Sequence, residues 1–173
     1  MDIDEEKLGK LQDRVEQNSK LLDEIVTNLV DKYSKPLDDY IRFIRSVLDD
    51  EEHPPTNVEL DDFVMQLPAL LYFTGEGVER LGIREDTSKA IKLEKYNEIY
   101  IQVKGTVGVK TATACDETQL ETLANTAYSR AYKKIKLKLD LGNELLQSIK
   151  KVITRRTVEM ELGRVDEGKV RGV

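Results

Sequence analysis

Apolar residues recur at steps of three and four over residues 117–159. That spacing predicts one long amphipathic helix, because side chains three and four apart lie on the same face of an α-helix. The pattern keeps its phase through Gly142, with apolar residues at the expected steps on both sides. We therefore expect the helix to continue there, with the glycine facing a close neighbour.

This apolar stripe is also the predicted surface for self-association. A helix of some 40 residues spans about 60 Å at about 1.5 Å per residue, which is longer than the core of a small domain requires. Much of the stripe is therefore expected to meet another helix or another subunit. The predicted oligomerisation residues are Tyr128, Ile135, Leu139, Gly142, Leu146, Ile149 and Ile153.

The rest of the chain shows helical periodicity in shorter stretches. Residues 4–34 form one such stretch, and Pro36 is expected to end it and to open a second helix that continues to Leu48. An acidic loop with two prolines follows, and then the most apolar stretch, residues 57–73, for which Thr56 or Asn57 is a suitable N-cap. Glycines loosen the end of that helix, and a further helix is predicted over residues 88–103.

Two structures fit the residues that follow. A helix to about Val103, a turn at Gly105 and a new helix before Thr111 is the favoured interpretation. The alternation of residues 99–109 also fits a short β-hairpin, which is the alternative over residues 99–110. The predicted fold is thus mainly α, a bundle of long amphipathic helices with a long C-terminal helix.

Charge divides the chain unevenly. Residues 128–156 hold nine Lys/Arg and two Asp/Glu, a net of +7, whereas residues 1–87 hold ten basic and twenty-two acidic residues, a net of −12. This asymmetry indicates either an anionic polymer as partner or an acidic half that neutralises a basic half. We divide the chain into an acidic helical region (1–87), a basic region for oligomerisation and DNA binding (88–162) and a flexible tail (163–173).

The composition argues against several classes of protein. Cys115 is the single cysteine, which is consistent with a reducing compartment, and no apolar run approaches the 18 residues of a membrane span. The first residues are acidic where a signal peptide is basic, so a cytoplasmic location is expected. With one histidine, His53, in the acidic loop and no phosphate-binding glycine loop, we expect no enzyme activity, no cofactor and no metal site.

Basic residues alternate with tyrosines in two places, around Lys92 and around Lys133. Binding of single-stranded nucleic acid uses this combination, since cations neutralise phosphates and aromatic rings stack on bases. Tyr96 and Tyr128 lie on apolar stripes, where a tyrosine is more often part of the core than a stacking surface. The predicted nucleic-acid contacts are Lys89, Lys92, Lys95, Tyr96, Arg130, Lys133, Lys134, Lys151 and Arg155.

Residues 88–168 resemble the UvsY recombination mediators of T-even-like bacteriophages. The likeness lies in the basic and aromatic run 89–96, in the small-residue turn at 105–106 followed by a Lys/Thr/Ala stretch, and in the ending of the long helix over residues 144–156. The first 87 residues look like an added helical region.

The resemblance implies a homo-oligomeric ring in the host cytoplasm that binds single-stranded DNA. It implies that the ring helps a RecA-like recombinase to replace single-strand-binding protein, and that Lys89 and Lys92 contact the DNA. It implies no enzymatic step, and the lack of a long apolar run predicts no membrane partner. The alternative function is a helical structural or adaptor protein, of a phage virion or a replication scaffold, that homo-oligomerises without binding nucleic acid.

Overall fold

The protein is mainly α-helical, as the sequence predicts. The structure, a computed structural model, describes the backbone of residues 5–170 and the side chains of residue 13 and residues 15–162. Four α-helices follow one another, and none of the described residues forms a strand. They are α1 (Glu5–Leu48), α2 (Asn57–Gln102), α3 (Val107–Glu117) and α4 (Gln119–Val170). No helix in the described part of the chain combines the length and the apolar character needed to cross a membrane.

Helix α1 runs through Pro36, so the expected division of this region into two helices is wrong. An interior proline costs about 3 kcal/mol because one backbone hydrogen bond is lost and the ring crowds the preceding turn. Val30 before it and Leu37 after it are both buried. Burial of these apolar side chains on the same helix offsets the cost of the proline.

Helix α2 likewise joins two predicted helices into one. It continues through Pro68 and through Gly75, Gly77 and Gly82, which were expected to loosen its end. Gly77 is buried because its backbone lies against Tyr33: a Cβ atom added to it would meet Tyr33 Cβ at 2.7 Å. At this position glycine therefore allows two helices to approach closely, and it does not end the helix.

The start of α2 carries the cap that the sequence indicates. Thr56 Oγ1 accepts a hydrogen bond from Glu59 N at 3.2 Å, and the Glu59 carboxylate accepts bonds from Thr56 N at 2.7 Å and from Thr56 Oγ1 at 2.8 Å. This reciprocal pattern is a capping box, which satisfies donors that a helix start leaves unpaired. Hydrogen bonds from the Thr56 backbone and hydroxyl lower the pKa of Glu59 below its usual value of 4.5.

We expect Glu59→Gln to lose stability relative to wild type at neutral pH but not in acid. Because the folded-state pKa is lowered, the charged carboxylate stabilises the fold above about pH 4.5, and this contribution disappears as the pH falls through the folded-state value. Urea unfolding of both proteins at pH 7 and at pH 3 measures the difference. An equal difference at both pH values would show that the charge contributes nothing.

The turn between α2 and α3 settles the two alternatives for residues 99–110. Helix α2 ends at Gln102, Gly105 takes a positive φ of 143°, and α3 starts at Val107. A positive φ favours glycine, because any side chain is strained there. The helix–turn–helix interpretation is confirmed and the β-hairpin is wrong.

Helix α4 begins two residues later than predicted and passes through Gly142 without a break. A Cβ added to Gly142 would lie 2.6 Å from Leu71 Cδ2 and 3.8 Å from Ile41 Cδ1. The expected close neighbour of this glycine is thus confirmed. The helix extends to Val170, into the predicted tail, while residues 171–173 lie outside the described part of the chain.

The helices form two compact units, each made of segments that are distant in sequence. The first unit contains Met1–Tyr33 and Glu76–Lys136, and the second contains Ser34–Gly75 and Leu137–Val173. The division of the sequence at residue 88 follows charge and does not coincide with these units. The core of the first unit consists of Val26, Val30, Leu81, Ala127, Ala131 and Ile135. That of the second consists of Leu37, Ile44, Leu60, Phe63, Leu67, Leu71, Leu146 and Ile149.

A polar cluster lies beside the core of the second unit. Lys138 Nζ forms an ion pair with Asp38 and donates a hydrogen bond to Ser34 Oγ at 3.0 Å, and Ser34 Oγ donates to Asp38 Oδ2 at 3.0 Å. Ser34 is buried, and its hydroxyl group is satisfied on both sides. Such a cluster disfavours shifted packing of α1 on α4, because a shift would separate the charges.

Candidate nucleic-acid interface

The first unit carries a groove lined by basic, aromatic and hydroxyl side chains. Helix α3 returns along the end of α2 after the turn at Gly105, and α4 starts at Gln119 directly after α3. This arrangement brings residues from three helices to one surface. One part of the groove, of about 420 Å³, is lined by Lys92, Tyr96, Cys115, Thr118, Gln119 and Thr122.

A second, smaller depression adjoins the first along α2. It has a volume of about 220 Å³ and is lined by Lys89, Lys92, Leu93 and Tyr96. Lys92 and Tyr96 border both parts, so the two form one continuous surface. The steps of three and four between these residues place them on one face of α2. The three site residues predicted here, Lys89, Lys92 and Tyr96, therefore do come together.

A pair of tyrosine rings lies at this surface: Tyr96 lines both depressions, and Tyr100, which lines neither, packs beside it. The rings of Tyr96 and Tyr100 lie 6.2 Å apart between centroids, with 18° between their planes. Both residues are half-buried, so each keeps part of its surface open. Lys110 Nζ of α3 lies 5.6 Å from the centroid of the Tyr100 ring. A cation over the face of an aromatic ring is attracted by the ring's negative face.

Lys110 is not among the contacts predicted from the sequence, and neither are Thr118, Gln119 and Thr122 of the groove. Lys110 is ten positions from Tyr100 in the sequence, within a stretch of threonines and alanines that gives no sign of a site. Only the turn at Gly105 brings α3 back along α2 and places the lysine beside the tyrosine. The sequence predicts the turn at Gly105, but it does not show that this turn places α3 beside α2.

Lys95 lines neither depression, although its side chain is 40% exposed. Its ammonium group forms an ion pair of 2.7 Å with Glu121 Oε1 of α4. The hydrogen bond from Lys95 is the main cause that lowers the pKa of Glu121. A predicted phosphate contact is thus occupied by a carboxylate of the same chain, and the pair ties α4 to α2. Asn125 adds a second tie, since its amide donates to Ser88 Oγ at 3.0 Å.

The remaining predicted contacts lie on α4. Arg130, Lys133 and Lys134 are exposed in the first unit and form no ion pair with any described residue. In the second unit, Lys151 is exposed and Arg155 pairs with Glu159 at 3.4 Å. None of these five residues lines the groove around Tyr96.

The predicted oligomerisation residues are packed within the chain itself. Tyr128 and Ile135 belong to the core of the first unit, whereas Leu139, Leu146, Ile149 and Ile153 pack in the second. Gly142 lies against Leu71 and Ile41. Segments of α1 and α2 thus pack along the stripe within the chain, and the expectation that the stripe also meets another subunit stays a prediction.

The titratable side chains of the described residues do not assemble into a metal site. Within the described ranges, no group of three or more His, Cys, Asp or Glu residues is placed to hold a metal ion. His53 lies in the exposed loop before α2, where its Nδ1 is 3.5 Å from Asp50. The groove itself offers charge, a ring face and hydroxyl groups.

No protein-family model, no curated protein and no solved structure matches this chain.

Proposed function

We propose that the protein binds single-stranded nucleic acid in the groove of its first unit and acts as a recombination mediator. The observation that supports the binding is the pair of rings, Tyr96 and Tyr100, with lysines on either side. Lys89 and Lys92 border Tyr96, and Lys110 lies over Tyr100. The tyrosines offer ring faces to bases, and the lysines offer charge to the phosphates between those bases.

Single strands fit this surface better than a duplex does. Bases in a duplex are stacked on each other, so they cannot reach a ring on a protein without being unstacked, whereas those of a single strand are free to do so. Each stacked base contributes about 1–3 kcal/mol. A stretch without acidic residues also favours single-stranded nucleic acid, because no carboxylate repels the phosphates. No Asp or Glu occurs from Ile99 to Cys115.

The mediator role rests on the resemblance of residues 88–168 to the UvsY mediators. In this proposal the protein exchanges one strand-bound protein for another without chemistry. It weakens the hold of single-strand-binding protein and favours the state in which a RecA-like recombinase covers the strand. A ligand shifts such an equilibrium only through its different affinity for the two states.

We expect the double variant Lys89→Ala with Lys92→Ala to bind a fluorescently labelled oligothymidylate about tenfold more weakly. Two lost phosphate contacts should also reduce the slope of log affinity against log salt by about 1.4. Tyr96→Leu, which keeps an apolar side chain but removes the ring, should weaken binding while leaving the salt slope unchanged. Fluorescence anisotropy over a series of salt concentrations gives both quantities.

The matched control is Lys20→Ala with Lys35→Ala, which removes the same charge from exposed positions on α1. It should bind like wild type. Equal losses in both double variants would mean that only net charge matters and that the groove is not the site. Absence of binding by the wild-type protein would instead favour the structural or adaptor function.

The mediator step has its own test. A RecA-like recombinase is added to a strand already coated with single-strand-binding protein, and filament formation is followed with and without this protein. We expect faster filament formation with the wild type and no acceleration with the Lys89/Lys92 variant. If the protein bound the strand but did not accelerate filament formation, the nucleic-acid site would stand and the mediator role would be rejected.

A further inference from the structure

The second unit carries an exposed apolar row on the outer side of α2. Val58, Met65 and Tyr72 are 70%, 77% and 66% exposed and stand seven residues apart. Residues seven apart lie almost directly above one another on an α-helix. Phe73 is also exposed, and its ring packs edge-on against that of Tyr72 at 5.7 Å. The opposite side of the helix forms the core through Leu60, Phe63, Leu67 and Leu71.

The charge around this row has one sign. Residues 46–75 contain seven acidic residues and no Lys or Arg. Asp61 and Asp62 are exposed on the same helix, next to the apolar row. Elsewhere in this unit, Arg42 pairs with Asp39 at 3.0 Å, and Arg156 donates a hydrogen bond to the Pro55 carbonyl at 2.7 Å. The row is therefore an apolar strip with an acidic border.

We propose that this face of α2 docks a basic amphipathic helix of a partner protein. A row with seven-residue spacing matches a helix, because a second helix can pack its own apolar stripe along it. The acidic border selects Lys and Arg beside that stripe and repels acidic partners. The same border disfavours nucleic acid and a symmetric pairing of this face with itself, because both place like charges together.

The docking face differs from the nucleic-acid groove in both chemistry and residues. It lies in the second unit and is acidic, whereas the groove lies in the first unit and is basic. Val58, Met65 and Tyr72 share one exposed helix face, which is the arrangement on which a second apolar stripe can pack. The proposal thus stands whether or not the groove binds a single strand.

Two designed peptides of equal length test whether a basic amphipathic helix binds this face of α2. Both carry leucines at the a and d positions of a heptad repeat, and the flanking positions are lysine in one and glutamate in the other. We expect the labelled lysine peptide to bind the full-length protein with an affinity that falls as salt rises, and the glutamate peptide not to bind. Fluorescence anisotropy measures both.

Variants separate the docking face from general attraction to an acidic protein. Met65→Gln with Tyr72→Gln should weaken binding of the lysine peptide by at least about tenfold, since apolar contact area is lost at the centre of the row. Leu93→Gln, an equally exposed change on α2 in the first unit, should leave it unchanged. Circular dichroism confirms that each variant is folded.

Three results would overturn the proposal. The first is equal binding of both peptides. The second is binding of the lysine peptide that is the same for the wild type and for the Met65→Gln/Tyr72→Gln variant. The third is a wild-type protein whose sedimentation mass exceeds that of one chain and falls to one chain in the Met65→Gln/Tyr72→Gln variant. In that case a second copy of this chain occupies the face.

Discussion

Ile149→Asp is expected to unfold the second unit rather than to release a folded monomer. Ile149 is 2% exposed and packs in the core with Leu67 and Leu146. Removing such a side chain costs about 2–5 kcal/mol. A carboxylate in its place adds the cost of burying a charge without a partner, which pushes the total beyond that range. Since whole domains are stable by about 5–15 kcal/mol, the variant should lose most of its stability.

Urea unfolding followed by circular dichroism tests this expectation, together with sedimentation. Gln147→Asp is the matched control, because it adds the same charge two residues away at an exposed position of α4. It should unfold like wild type. If Ile149→Asp kept the wild-type urea midpoint and showed a smaller mass, the stripe would be a surface between subunits, as the sequence predicts.

Gly77→Ala is expected to destabilise the first unit although alanine is the better helix former. The added Cβ would lie 2.7 Å from Tyr33 Cβ and 2.9 Å from Tyr33 Cγ. The Tyr33 Cβ is attached directly to the backbone of α1, so no side-chain rotation can move it away. The two helices must separate instead, at a cost of about 1–3 kcal/mol. That exceeds the gain of about 0.5–1 kcal/mol from replacing glycine within a helix.

Gly75→Ala provides the contrast on the same helix. An added Cβ there meets no atom within 4 Å, so only the gain in helix propensity remains. We expect it to raise stability by about 0.5–1 kcal/mol. The two variants should thus move the urea midpoint in opposite directions. A shift in the same direction for both would show that Gly77 does not sit at a close contact.

Local patterns were sufficient to predict several features of this protein. Spacing alone gave the helix through Gly142 and its tight contact, because a helix fixes which residues share a face. The Thr56 cap and the turn at Gly105 followed from the chemistry of single residues. The grouping of Lys89, Lys92 and Tyr96 followed in the same way, since these residues lie one turn apart on one helix.

Features that depend on contacts between distant segments could not be predicted in this way. Pro36 signals a helix end locally, and only burial on both sides keeps α1 continuous. The sequence does not distinguish Lys95 from the neighbouring lysines, because its ion-pair partner Glu121 lies on another helix. Lys110 comes close to Tyr100 only because α3 returns along α2.

The partner of the apolar stripe on α4 was decided in the same way. The spacing of apolar residues is enough to show that this face is apolar and must be covered, because exposed apolar surface is unfavourable in water. Periodicity carries no information on what covers it. Only the packing of the folded chain shows that segments of α1 and α2 lie along the stripe, because these segments are distant from α4 in the sequence.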